Sequence, residues 1–317
     1  MLFTGKSMPK LGFGSAAMRS EAFVYGFGNF GSGFNQRVLI FWAFLGCLFL
    51  ASAAQSCERT LVAPASPTGL NVILQEDKVA GVFPDFMRLI GTLAGCQFEF
   101  PVLPRSRLDR DFFANNVDVL APATQSTMRD KHADFIAWME LTPQLITASW
   151  DRETMPDLKS LLTSKSWRAV VVRNYSWGDL YDAFIKKMDQ EGRLDLVSDL
   201  KTVHAMLRAG RAKFTILPPT LLYGSMHSGR GPAGLPPDFR YSLLSDLPRA
   251  KVGIYLNSTN VAKSDVEKIR AATITAKNDG SLLRILEYYY PVEILSADVV
   301  LNIPVHLEGR VGNRGKQ

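Results

Sequence analysis

Residues 116–135 read NVDVLAPATQSTMRDKHADF, and the fold follows from how that stretch divides. Val117, Val119 and Leu120 give a buried-strand signal, small and hydroxyl residues follow, and a single arginine, Arg129, arrives at an expected helix start. Such a segment can hold a carboxylate. The hydroxyls of Thr124 and Ser126 and the free N–H groups of a helix's first turn can donate to an anion, while Arg129 offers a planar two-point fork. The same residues also suit a plainer arrangement, in which Thr127 caps the helix and Arg129 is a solvated first-turn side chain.

Outward from that stretch, strand and helix alternate. Upstream, the periodicity predicts a strand at Leu61-Val62-Ala63, a hairpin over 71–74 and 78–82, and a helix from Pro84 with Phe86, Leu89, Ile90 and Leu93 on one face. A strand at Phe98 then leads through Pro101 and Pro104 into a short helix over 106–114. Downstream, strands are expected at 168–172, 214–217 and 249–256, with helices at 157–162, 179–188, 202–208, 220–224, 264–278 and 281–289, the last stopped by Pro291. Residues 227–238, dense in Gly and Pro, read as loop. Repeated alternation of this kind predicts an α/β fold with parallel sheets, whose ligands sit beyond the carboxyl ends of the strands.

The chain has 317 residues, 47% of them apolar and 21% charged, which is ordinary globular composition and excludes a fibre or a mainly disordered protein. Of its net charge of +6, part belongs to residues 1–54, where Lys6, Lys10, Arg19 and Arg37 outnumber Glu21; the rest carries +3. So small a surplus, without a basic stripe interleaved with aromatics, gives no reason to expect nucleic acid as a partner. Residues 1–35, rich in Gly and Phe, read as a disordered leader. Residues 36–54 combine a positive flank, a short apolar core and an Ala-x-Ala end, the pattern of a secretory signal peptide cleaved near Ala53. Seventeen uncharged residues also suit an uncleaved membrane anchor. Cleavage would leave Cys57 and Cys96, each at the start of an expected strand; a bridge and a pair of buried thiols both fit that placement.

The four histidines, His132, His204, His227 and His306, lack metal-ligand spacing, and no Walker, dinucleotide or G-x-S-x-G loop occurs, so no cofactor is expected.

The segment at Thr124, Ser126 and Arg129 resembles the G-x-T-x-T-x-x-R stretch of type 2 periplasmic solute-binding proteins of the polar amino-acid class, with Pro122 in place of the glycine. Three further stretches carry the resemblance in order: 79–86 (VAGVFPDF) to the family's G-F-x-x-D-L, Ala133-Asp134-Phe135 with 145–149 to its D-F-S-x-P-Y, and Asp279-Gly280-Ser281-Leu282 with Ile285 to its D-G-x-L-x-x-I. What the resemblance implies is a two-lobed fold, each lobe a mostly parallel sheet flanked by helices. Lobe 1 would take residues 58–147 and 247–291, lobe 2 residues 148–246, with hinge strands near 147–150 and 244–252 and residues 292–317 as a tail. It also implies a periplasmic monomer that delivers a small solute to an inner-membrane ABC permease, with Thr124, Ser126 and Arg129 holding the solute's carboxylate.

Two departures bear on the ligand. The family's aspartate for an α-ammonium falls on Pro218, and residues 67–70 lack the aromatic that often stacks on the ligand. A buried cation without a carboxylate costs several kcal/mol, so a free α-amino acid fits poorly. Tyr175 and Trp177 could supply a stacking face, Ser176 a hydroxyl, and Arg107 a second cation, although a loop aromatic also packs on its own lobe and Arg107 also suits a solvated charged face. Sensing is the alternative role. Catalysis, such as a dehydratase on this scaffold, would need an acid or base in the cleft, for which the sequence offers Asp85, Asp134 and Asp151, and enzyme activity is not expected.

Overall fold

A computed structural model describes residues 56–302 apart from Asp77. The expected leader and signal peptide, and the tail beyond residue 302, lie outside the described residues. Among the described residues no helix is long and apolar enough to cross a membrane.

The first lobe opens with β1 (Leu61–Val62), a hairpin of β2 (Ile73–Gln75) and β3 (Lys78–Ala80), and α1 (Val82–Ala94). Phe83, Phe86 and Ile90 recur along α1 on the helical period and bury one face of it, and Gly95, in the left-handed region, ends it. Trp138 fits between the two phenylalanines, stacked on Phe83 and edge-on to Phe86, each with ring centroids 4.6 Å apart. Then come β4 (Phe98–Glu99), α2 (Arg105–Phe113), β5 (Val119–Thr124), α3 (Thr127–Asp130) and β6 (Ala133–Leu141).

In the second lobe, β7 (Gln144–Ala148), β8 (Ala169–Val172), β9 (Leu194–Val197), β10 (Phe214–Leu217) and β11 (Phe239–Leu243) form one sheet in the order β11-β7-β10-β8-β9. Its helices are α4 (Leu158–Thr163), α5 (Asp179–Gln190), α6 (Leu200–Arg208) and α7 (Pro219–Met226). Asp157 and Asp199 cap α4 and α6 by accepting the N–H groups of Ser160 and Thr202. The chain returns through β12 (Ala250–Asn257), α8 (Lys263–Asn278), α9 (Ser281–Tyr289), α10 (Val292–Asp298) and β13 (Val299–Val300), and the first lobe's main sheet runs β13-β6-β12-β5.

The main sheets are less parallel than expected: that of the first lobe is antiparallel throughout and that of the second is mixed. β1–β4, β8–β9 and β8–β10 pair in parallel, whereas β5–β12, β6–β12, β6–β13, β7–β10 and β7–β11 are antiparallel. The cause is connectivity: a strand that follows a crossing from the other lobe needs no helical crossover, so it can enter its sheet reversed. β7 pairs inside the second sheet, so the first crossing falls at residues 142–143, ahead of the expected 147–150; the second falls at 244–249. Residues 292–300, expected as tail, form α10 and β13 instead, because Pro291 ends α9 and also caps α10, and Val299 and Val300 pair with Leu141 and Glu140. β6 passes so close to β12 that a Cβ on Gly253 would lie 2.0 Å from the carbonyl oxygen of Ile136, a position only glycine can fill.

Cys57 and Cys96 are bridged, with Cα atoms 4.8 Å apart. The bridge sits at the common edge of the parallel pair β1–β4, where the Cys57 N–H also donates to the Gly95 carbonyl. It closes a loop over a separation of 39 residues. Replacing both cysteines with serine should lower unfolding free energy by about 3–4 kcal/mol, read as a lower urea midpoint with a slope equal to or steeper than the parent's, since the uncrosslinked unfolded chain exposes more surface.

At the back of the lobes α10 braces the first crossing. Thr142 N–H donates to the Asp298 carbonyl, the Gln144 side chain donates to the Ala297 carbonyl, and Thr220, at the start of α7, donates both its N–H and its hydroxyl to the Asp298 carboxyl. Burial outweighs those two hydrogen bonds and pushes the Asp298 pKa up to about 8. The folded carboxyl therefore keeps its proton to about that pH while the unfolded one loses it near its ordinary value. Folding takes up a proton between the two, so this group's contribution to stability falls as pH rises through that window. Asp298→Asn, which keeps an acceptor for Thr220, should be more stable than the parent at pH 8, with the difference shrinking toward pH 4, as measured by urea unfolding at several pH values.

Candidate functional site

At the junction of the lobes lies a small pocket with a cavity volume of about 40 Å³. Its first-lobe wall includes Thr68, Asn71, Arg105, Thr124 and Arg129; its second-lobe wall includes Tyr175, Ser176, Trp177 and Leu221. Three elements converge on the arginines. β5 ends at Thr124, and Ser126 caps α3 by accepting the Arg129 N–H at 3.5 Å. That cap turns the chain so that Arg129 folds back along the strand end, 4% exposed, with Nη1 donating to the Thr124 carbonyl at 3.0 Å and Nη2 to Asp109 Oδ1 at 3.0 Å. Its Nε is buried without a partner among the described residues.

Thus neither arrangement expected for this segment holds whole. Arg129 is buried rather than solvated, Ser126 rather than Thr127 is the cap, and the Ser126 hydroxyl lies outside the pocket wall. Thr124 and Arg129 do line it.

Arg107 does not. Its side chain is 53% exposed and 3.8 Å from Asp111. The inward arginine is Arg105, two residues earlier, on the pocket wall with its own Nε buried and unpartnered among the described residues. Helix geometry explains the exchange. Arg105, Leu108, Asp109 and Phe112 share the i, i+3, i+4, i+7 face that α2 turns to the protein, while Arg107 points the other way. That spacing is present in the sequence and was sufficient to find Arg105. Burial lowers the Arg105 pKa from its usual value, against the opposing pull of Asp109 and Tyr175.

Across the pocket, Gly178 starts α5, and the loop before it delivers all three expected second-lobe residues. The Tyr175 ring lies under the Arg105 guanidinium, 5.3 Å to the centroid, a cation–π contact between the lobes. Trp177 is buried, edge-on to Tyr175, and donates Nε1–H to the Ile216 carbonyl at 3.0 Å, so it stiffens the wall from behind. The Ser176 hydroxyl donates to Asp182 at 2.8 Å, and burial raises that carboxyl's pKa although Ser176 lowers it. Sequence reasoning missed Thr68 and Asn71, on a loop with no regular period.

None of Asp85, Asp134 and Asp151 lines this pocket. Asp85 pairs with Arg88 and accepts from Tyr289, Asp134 accepts from Ser258, and Asp151 lies 3.6 Å from Lys213. Pro218 stands after β10 as the α7 cap, and among the described residues no carboxylate is on the pocket wall.

Two lobes, two crossing segments and a pocket at their junction set up the comparison with solved structures. An ancestral arginine-binding protein bound to arginine superposes with a TM-score of 0.58 at 16% identity, covering 74% of this chain and 99% of that one. The fold is that of the periplasmic solute-binding proteins. A putative L-cystine ABC transporter protein from Listeria monocytogenes matches this solute-binding fold with a TM-score of 0.56 at 20% identity, over 73% of this chain and 95% of that one. A histidine kinase sensor domain with similarity to periplasmic binding proteins gives 0.59 at 13%, over 74% and 96%. No protein-family model and no curated sequence matches the chain. The identities are low enough that the solute-binding fold, and not the ligand, is what these likenesses establish.

One more contact joins the lobes near the pocket. Thr127 on α3 donates its N–H and its hydroxyl to the Asp179 carboxylate on α5, which also sits favourably at a helix N-terminus. Removing it with Asp179→Ala should weaken ligand affinity by about 1–2 kcal/mol, roughly five- to thirtyfold, through faster dissociation in stopped-flow measurements.

Proposed function

We propose that this protein is a periplasmic solute-binding protein that captures a small carboxylate-bearing solute between its lobes and delivers it to an inner-membrane ABC permease. The observation that supports this best is the Arg129 guanidinium, buried in the pocket wall with its Nε left over after Asp109 and Thr124 take their share. A donor so placed, beside Arg105, suits an anionic group that enters when the lobes are apart and is desolvated when they close. The pattern of residues 36–54 supports export with cleavage near Ala53, an uncleaved anchor being the alternative, and the working unit would be a monomer. A ligand-sensing role is the second reading, favoured by the kinase sensor domain among the structural neighbours. Binding rather than turnover is the better reading, since among the described residues the pocket wall carries no carboxylate or histidine to move a proton.

Arg129→Ala should weaken carboxylate binding by ~3–5 kcal/mol, about two to three and a half decades in affinity, in calorimetric titration. Arg129→Lys, which keeps the charge beside Asp109 but loses the fork, should fall between. Affinity unchanged in both variants would place the anchor elsewhere. Deleting the gene and following uptake and chemotaxis separates delivery from sensing: lost uptake with normal chemotaxis supports the first.

A further inference from the structure

We propose that Arg105 is the ligand-selecting residue of the pocket and that the occupant is a small monocarboxylate with no ammonium group, of the 2-hydroxy or 2-oxo acid class, having an apolar body. This deepens the reading given under Proposed function and rests on it.

Charge on the pocket wall carries the inference. Two guanidiniums line it, each with a buried Nε that has no partner among the described residues. The carboxylates facing them are few and engaged. Asp109 holds Arg129; on the opposing helix, Asp182 accepts from Ser176 and Asp179 accepts from Thr127. Arg105 forms no ion pair among the described residues; its contacts there are the Tyr175 ring and, at 3.5 Å, the Asn174 carbonyl. With Arg129 paired to Asp109, Arg105 is the wall cation without an ion pair among the described residues. The negative charges of Asp179 and Asp182 on the opposing helix, hydrogen-bonded but not neutralised, disfavour a second ligand carboxylate, so a single carboxylate is favoured over a dicarboxylate. A desolvated ammonium would meet two guanidiniums and no carboxylate, so replacing it with a hydroxyl or a carbonyl removes a penalty and costs no partner. Thr68 and Asn71 supply neutral polar groups for that oxygen, and Leu141, Leu221 and Val252 supply apolar surface for the body.

The test compares matched acids that differ only at the 2-position: L-alanine with L-lactate, L-leucine with (S)-2-hydroxy-4-methylpentanoate, and L-aspartate with L-malate. A thermal-shift screen over amino, hydroxy, oxo and dicarboxylic acids precedes calorimetry on the full chain. The hydroxy or oxo monoacid is expected to bind at least 100-fold tighter than its amino partner and tighter than malate. Arg105→Met is expected to cost tenfold or more for the hydroxy acid, while Arg107→Met, at the exposed neighbour, changes nothing. The wild-type comparison stands even if Arg105→Met fails to fold. Amino acids that bind as tightly as their partners, still dependent on Arg129, would overturn this inference and leave the solute-binding reading intact; so would malate binding tightest. A screen with no Arg129-dependent acid at all would overturn both.

Discussion

A guanidinium taken out of water must find its partners inside the protein, and the placement of Arg129 is the constraint on which the pocket depends. Asp109 comes from α2 and the Thr124 carbonyl from the end of β5, while Ser126 fixes the turn that brings the arginine between them. Each supplies part of what hydration supplied, and together they leave Nε as the guanidinium nitrogen without a partner among the described residues. Isolated burial of a cation costs several kcal/mol, and the Asp109 carboxylate offsets much of it. What the ion pair does not offset sets how strongly the site attracts an anion. The site is thus held at a fixed geometry before any ligand arrives, which reduces the ordering that binding must supply.

The two lobes meet at three kinds of contact. The polar latch of Thr127 and Asp179 lies near the pocket, the Arg105–Tyr175 stack lies at the wall, and Asp298 with Thr220 lies at the back. Between them, α7 is buried almost throughout, and its Gly224 touches the first-lobe loop so closely that a Cβ there would lie 2.7 Å from the Leu70 nitrogen. The Thr127–Asp179 contacts are exposed and weak, so they can break on opening at modest cost. The contacts of Asp298 with Thr220 and Thr142 are buried and tied to the first crossing segment.

How much of this was legible follows from what each residue type signals locally. The helices around Phe86, Phe184 and Val266 were readable because their apolar residues recur on one face. The bridge of Cys57 and Cys96 was one of two readings, and strand pairing decided it. β6 was only partly legible. Its run ADFIAWMEL lacks clean alternation, because a register shift beside Gly253 lets consecutive residues such as Trp138 and Met139 both be buried. α10 and β13 were missed because Pro291 ends one helix and begins the next, and sequence alone weights the first signal. At the site, Thr124 and Arg129 follow from the motif, and the Tyr175 loop from its place before an expected helix; all line the pocket. Arg107 was chosen over Arg105 by charge density when helical phase distinguishes them.

Pro218 stands where the resemblance would place a carboxylate on the second-lobe side, and Arg105 brings a cation to the first-lobe side of the pocket wall. Either change alone would leave a zwitterion with one of its two charges poorly matched. Both change the pocket in the same direction, toward positive potential, so their effects on an ammonium add while their effects on a carboxylate do not conflict. Tyr175 fits that account, since its ring face accepts the Arg105 cation without supplying a negative charge that would neutralise it. A pocket organised this way discriminates chiefly by what it leaves unpaired, and a buried unpaired charge is a stronger filter than an added contact.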